Sequence, residues 1–274
     1  MSQSKPETFE DTVASIQAML EEGAPPVDRM RLDRALATLA GSRTGVMGDL
    51  EILAAMERGQ VIIDPFDPDL LGSSSYDVRL GGNFYIADSG TLDPVFSPFD
   101  EKSVRDYYKG PFQARTAGEY CDEHHLADFP GIQPDELVIV LRPGECILAH
   151  TIEYIGAVYG ATTMMKAKSS IGRINVSACD DAGWGDVGYV NQWTFEVRNK
   201  NQTPIVLVAG MPIAQMVFLW VQGASISYGD TGHYQSGIDL AEIKKVPITD
   251  NMLPKLWTPK SADRRKRLTP DQLF

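Results

Sequence analysis

The sequence predicts a mainly β protein, a sandwich or barrel of short strands with a few short helices, preceded by a helical extension. Three observations predict it. From Val61 onward, short apolar or alternating runs are separated by Gly, Pro, Asn and Asp, the pattern of all-β sandwiches and barrels. Apolar residues at helical spacing are confined to the region before Gly59. The longest apolar stretch, Pro204 to Val221, is interrupted by Gly210-Met211-Pro212 and contains Gln215. It therefore reads as two buried strands joined by a turn, not as a membrane span.

In chain order, Val13, Ile16, Met19 and Leu20, then Met30, Leu32, Leu36 and Leu39, predict two helices between Thr8 and Leu39, separated by Gly23-Ala24-Pro25-Pro26. A third helix is expected over Asp49 to Glu57, with Asp49 as its cap and Gly59 as its stop. Strands follow at Tyr76 to Leu80, Phe84 to Ile86, Leu137 to Leu141, Cys146 to Ala149, Asn175 to Ala178, Tyr189 to Val197, Ile205 to Val208 and Ile213 to Val221. Residues 97–134 are rich in charge, aromatics and Pro without a clear period, and are expected to form an elaborated loop or insertion. The expected organisation is a helical extension over 1–46, a main domain over 47–254 and a basic C-terminal tail over 255–274.

With 274 residues, 43% of them hydrophobic, the chain can bury one substantial core. A net charge of -12 argues against a protein that coats nucleic acid, although it leaves room for a local cluster of cations. Cys121, Cys146 and Cys179 are odd in number and widely separated, and the first residues carry no apolar signal segment. A reducing cytoplasm is the expected compartment.

The chemistry-bearing residues lie close together. Lys168, Ser169, Ser170 and Arg173 offer two cations and two hydroxyls in six residues, suited to phosphate oxygens. They do not form a P-loop, because the Gly-rich run and its Gly-Lys-Ser/Thr ending are missing. In the strand near Glu196, alternation puts Asn191, Trp193, Phe195 and Val197 on one face, and Gln192, Thr194, Glu196 and Arg198 on the other. A polar strand face is ordinarily just the wet side of a sheet. Here Asp186 precedes it through a Gly-containing turn, and two carboxylates near a phosphate-suited cluster make an enzyme's inventory. The His-x-Glu and Pro-Cys-x-x-Cys signature of zinc deaminases does not occur, nor does a Gly-x-Ser-x-Gly elbow. Cys121, His124 and His125 are near in sequence but lack a second half-site at metal-ligand spacing, and His150 reads as a hydrogen-bonded core or edge residue.

Six segments in order resemble one family: Ile62-Ile63-Asp64-Pro65 with Ser75-Tyr76-Asp77-Val78-Arg79-Leu80-Gly81, Arg142-Pro143-Gly144-Glu145, Lys168 to Arg173, Asp186-Val187-Gly188-Tyr189, Phe195-Glu196-Val197-Arg198-Asn199, and Ala209-Gly210-Met211-Pro212-Ile213-Ala214-Gln215. Together they resemble the dCTP deaminase branch of the dCTP deaminase/dUTPase superfamily, over roughly Gly48 to Gly237. The resemblance implies a dUTPase-like distorted β-barrel or jelly-roll core, a homotrimer with sites between subunits, and deamination of dCTP to dUTP and ammonia without zinc. It implies Glu196, Arg173 and Ser169 as catalytic residues. It further implies Lys168, Ser169, Ser170, Arg173, Asp186, Ala182, Trp184, Tyr228, His233, Tyr234 and Gln235 as contacts to a deoxynucleoside triphosphate that carries its own Mg2+. Three positions depart from the family pattern: Lys168 stands for an arginine, His233 for a lysine of the C-terminal lid, and Trp184 for a frequent basic residue. The presence of both Asp186 and Glu196 leaves open a dUTP diphosphatase or a bifunctional enzyme forming dUMP. A non-catalytic nucleotide-binding regulator is a further alternative.

Overall fold

A computed structural model describes residues 45–88, 95–180, 182–222 and 224–264, so the helices expected between Thr8 and Leu39 lie outside the described residues. The described residues open with helix α1 (Asp49–Glu57), strand β1 (Val61–Asp64), a short 3-10 turn, β2 (Tyr76–Arg79) and β3 (Asn83–Ala87). Next come α2 (Glu101–Tyr107), β4 (Tyr108–Gln113), β5 (Arg115–Thr116), α3 (Ala117–His124), β6 (Leu137–Leu141), β7 (Cys146–Ala157) and β8 (Ala161–Ala167). The second half holds α4 (Ser169–Arg173), β9 (Val176–Ser177), β10 (Trp184–Gly185), β11 (Val190–Asn199), β12 (Ile205–Val208) and β13 (Pro212–Trp220). Four short helices follow: α5 (Tyr228–Thr231), α6 (Leu240–Ile243), α7 (Thr249–Met252) and α8 (Pro259–Arg264).

The mainly β expectation holds. A large sheet runs β4-β3-β7-β11-β9 with β1 added on β7, a second runs β10-β8-β13-β2, and a third runs β12-β6-β5. Among the described residues no sheet closes on itself into a barrel. One core of apolar side chains fills the space they share, including Tyr76, Leu80, Ile139, Ile147, Ile155, Phe195, Met216 and Phe218. As expected, β12 and β13 are separate strands on either side of Gly210, and they belong to different sheets.

One local expectation is corrected, and two segments gain detail. Asp49 is the first residue of α1 and not its cap; Gly48 takes that place without a side-chain bond. Residues 97–134, expected as an elaborated loop or insertion, contain short helices and strands. Asp100 caps α2 by accepting from Ser103 N, and Thr116 with Glu119 forms a reciprocal capping box on α3. Between these helices β4 joins the edge of the large sheet. In the described part of the basic tail, Lys255 N donates to Tyr234 Oη and Lys260 Nζ donates to Gly232 O.

A second, smaller core covers the opposite face of the large sheet. Tyr85, Val104 and Leu148 pack there against Ile248, Met252 and Leu253, with Tyr108 and Trp257 at its margin. The large sheet is thus covered on both sides, and the candidate site lies on this second face.

Candidate active site

Strand β11 builds the site by simple alternation. Trp193, Phe195 and Val197 are buried in the main core, while Gln192, Thr194 and Glu196 are half-buried on the other face and Arg198 is exposed. The pairing of β11 with β7 is irregular between Gln192 and Thr194, next to the candidate catalytic residue, as bulges near active sites often are. The irregularity is stitched by side chains. Thr151 Oγ1 accepts from Trp193 N at 2.8 Å and donates to Glu153 O at 2.7 Å, and Trp193 Nε1 donates to Ile155 O at 2.8 Å. Glu153, fully buried, is compensated by Arg79, whose Nε and backbone N donate to its two carboxylate oxygens at 2.6 and 2.9 Å. The Arg79 guanidinium is held charged, its pKa raised by that bond against the opposing effect of burial.

The turn before β11 carries Asp186. Tyr189 N donates to Asp186 O at 2.9 Å, and Gly188 sits at φ 92°, where a Cβ would lie 2.1 Å from Ser227 Oγ. Only glycine tolerates both the dihedral and the close approach. Tyr228 N donates to Val187 O at 2.8 Å, so this turn also seats the segment 227–237. Gln235 clamps the same segment, accepting from Val190 N and donating to Gly188 O, each at 2.8 Å.

These elements enclose a cavity of about 370 Å³, within the usual range for small-ligand sites. Glu196, Asp186, Thr194 and Gln192 supply polar lining; Trp184, Tyr189, Trp193, Tyr228 and Tyr234 supply aromatic walls. Tyr108 enters from β4, and Ile248, Asn251, Met252 and Pro254 enter from the C-terminal segment. No Lys or Arg lines it among the described residues. Register explains why Tyr108 reaches the site: Glu196 stands opposite Leu148, Leu148 opposite Tyr85, and two positions along β3 Ala87 stands opposite Tyr108. Burial pushes the Tyr108 phenol up to about 12, with neighbouring Tyr107, Cys146 and Glu196 adding to the effect. Burial likewise raises Tyr189, Tyr228 and Tyr234, so these phenols stay protonated at neutral pH.

Of the residues expected in a site, Glu196, Asp186, Ala182, Trp184, Tyr228 and Tyr234 come together around this cavity. Trp184, 60% exposed, stands at its mouth. Ser169, Ser170 and Arg173 lie exposed on α4, outside the lining. Lys168 pairs with Asp77 of β2 instead of facing the cavity. His233 lines a neighbouring cavity of about 340 Å³ with Gln235, Asn251 and Lys260. The amide of Gln235 is occupied by backbone partners, which makes it a clamp of the loop in this structure. Cys121, His124 and His125 do not gather: Cys121 is buried, and His124 stacks on Tyr120 with ring centroids 4.0 Å apart. Sequence reasoning missed Tyr108, Thr194, Asn251 and Met252 as lining. Thr194 was legible on the polar face of its strand; the others arrive by tertiary packing.

Residues 46–220 match the family described as dCTP deaminase-like. The chain belongs to that family. It is 31% identical over 183 residues to a protein named "dCTP deaminase, dUMP-forming" from Methanosphaerula palustris, covering 67% of this chain and 85% of the relative. A protein of the same name from Methanoregula boonei is 33% identical over 183 residues, covering 67% and 86%. Among solved structures, 2'-deoxycytidine 5'-triphosphate deaminase from Agrobacterium tumefaciens aligns with a TM-score of 0.46 and 17% identity, over 65% of this chain and 49% of that one. As a family member the chain is a dCTP deaminase-like enzyme.

Proposed function

We propose that the chain deaminates dCTP and carries the product on to dUMP, releasing ammonia and pyrophosphate. The carrying observation is that Glu196 and Asp186 line one cavity, so a carboxylate for the ring and a carboxylate for the phosphate chain share one bound nucleotide. The released product was expected from sequence to be dUTP. The dUMP-forming relatives favour the longer reaction.

In the deamination, Glu196 takes a proton from water and hydroxide adds to C4 of cytosine. The carboxyl then passes that proton to N3, and it carries the proton of the new C4 hydroxyl to the amino group, so that C4=O forms as the C4–N bond breaks, giving uracil and ammonia. Aromatic walls exclude bulk water and stack on the ring, Trp184 at the mouth and Tyr228 and Tyr234 within. In the second step Asp186 orients a water against the α-phosphate, and pyrophosphate leaves. Both steps consume one water.

The missing cations support a homotrimer. The lining lacks Lys and Arg among the described residues, while α4 holds Ser169, Ser170 and Arg173 exposed elsewhere on the chain. A second copy that presents α4 to this cavity would supply them, Ser169 and Arg173 to the water and developing oxyanion, Ser170 to phosphate. Lys168 and His233 join that set as phosphate contacts, Lys168 after exchanging Asp77 for phosphate. We assign to the reaction a magnesium ion delivered with the triphosphate, not held in a protein cage. No described helix is long and apolar enough to cross a membrane, and we assign the enzyme to pyrimidine deoxynucleotide metabolism in the cytoplasm.

The test is direct. Purified protein with magnesium and dCTP is expected to release ammonia and pyrophosphate in equal amounts. Ammonia with intact triphosphate would restore dUTP as the product, and dCTP bound without either release would leave a regulator.

A further inference from the structure

The family match ends at residue 220, yet the cavity beside Glu196 has a wall contributed from well beyond it. The geometry points to Asn251 as a specificity-determining residue that donates a hydrogen bond to a neutral acceptor oxygen of the bound nucleoside, with Lys255 as its positioning residue. This rests on the nucleotide reading of the cavity given above.

Asn251 lies on α7 and lines both the Glu196 cavity and the neighbouring cavity around His233. The segment that carries it is anchored. Ile248, Met252 and Leu253 are buried against Tyr85, Val104 and Leu148, and Tyr85 Oη donates to Thr249 O at 3.3 Å. On the far side Lys255 N donates to Tyr234 Oη at 3.2 Å, and the Lys255 ammonium lies 5.3 Å from the centre of the Tyr234 ring. The wall is therefore held against both the sheet and the segment 228–237.

The direction of the Asn251 amide follows from its partner. Lys255 Nζ donates to Asn251 Oδ1 at 2.6 Å, and an ammonium has protons only to give. Oδ1 is thus occupied as an acceptor, and the amide nitrogen is turned the other way. No described residue accepts from Asn251 Nδ2. In a cavity whose other side-chain charges are the carboxylates of Glu196 and Asp186, a fixed neutral donor selects a carbonyl or hydroxyl oxygen of the nucleoside. It neither attracts nor repels the phosphates strongly, so it reads the part of the ligand that the cations cannot.

The experiment compares wild type with Asn251→Ala, Asn251→Asp, Lys255→Met and Lys255→Arg. Equilibrium binding of dCTP is measured in a Glu196→Gln background, and KM and kcat are measured in the active enzyme. Asn251→Asp keeps the volume and the bond to Lys255 but replaces the free donor with an acceptor, so it addresses the inference even where Asn251→Ala folds poorly. Both Asn251 variants are expected to bind dCTP about tenfold more weakly, as for loss of one hydrogen bond to ligand. KM should rise with kcat within about twofold, because the bond is present before and during reaction. Lys255→Met should raise KM about threefold, and Lys255→Arg, which keeps a donor toward Oδ1, should restore it. A folded Asn251→Asp protein that binds dCTP as tightly as wild type would overturn the inference alone. Wild type that binds no deoxynucleotide would overturn the nucleotide reading first.

Discussion

The two faces of strand β11 use the same backbone for opposite ends. Toward the main core it presents Phe195 and Val197, both fully buried, and Trp193, whose ring also reaches the cavity; toward the cavity it presents Gln192, Thr194 and Glu196, half-buried and polar. A strand's period of two places these sets on opposite sides with no further instruction. Changes on one face should therefore alter turnover while leaving folding alone, and changes on the other should do the reverse.

The sharpest way to break this separation is Glu196→Gln. It keeps the shape and removes the proton carrier, so ammonia release is expected to fall by about 10³-fold while dCTP affinity stays within about tenfold. The unfolding midpoint should be unchanged, and a variant with near-normal turnover would end the catalytic assignment. Next in size is Phe195→Ala, one residue away on the other face. Phe195 is fully buried, and its truncation is expected to cost about 3–5 kcal/mol in denaturant unfolding, with any surviving folded protein still active. A smaller effect is expected from Asp186→Asn. Pyrophosphate release should drop by about 10²-fold while ammonia release changes by less than tenfold, and equal loss of both products would mean that the two carboxylates do not divide the work.

The alternating face was legible because polar and hydrophobic residues exchange at every position from Gln192 to Arg198. The wall opposite was not. Ile248, Met252 and Leu253 are too few to show a period, and their burial depends on Tyr85, Val104 and Leu148 from distant parts of the chain. Tyr108 was hidden for a related reason: its place in the cavity follows from β4 joining β3, a pairing between segments with no hairpin signal. One signal was present and unused. Thr116-Ala117-Gly118-Glu119 has the spacing of a capping box, and that box starts α3 inside what was expected to be an elaborated loop or insertion. Strand β8 escaped because Ala161 to Ala167 is mostly buried along its length and does not alternate.

His150 offers the finest test of the comparison, since it pairs with Thr194 across the strands but is treated like a core residue. It does not line the cavity. Gly81 lies against its ring, so closely that a Cβ there would sit 2.1 Å from His150 Cε1. Asn83 N donates to His150 Nε2 at 3.3 Å, which leaves the proton on Nδ1 to reach Thr151 O at 2.8 Å. The ring is thus neutral, and burial, partly offset by the bond to Thr151, lowers its pKa from the ordinary 6.5. With the folded-state value depressed, the unfolded chain binds the proton first. The stability tied to this ring is fully present above about pH 6.5 and declines as pH falls toward the folded-state value. Thermal midpoints measured from pH 8 down to pH 5 should therefore fall more steeply for wild type than for His150→Gln, which cannot titrate there. Parallel curves would mean that His150 is accessible to protons like the cavity residues beside it, and the division between the two faces would stop short of this position.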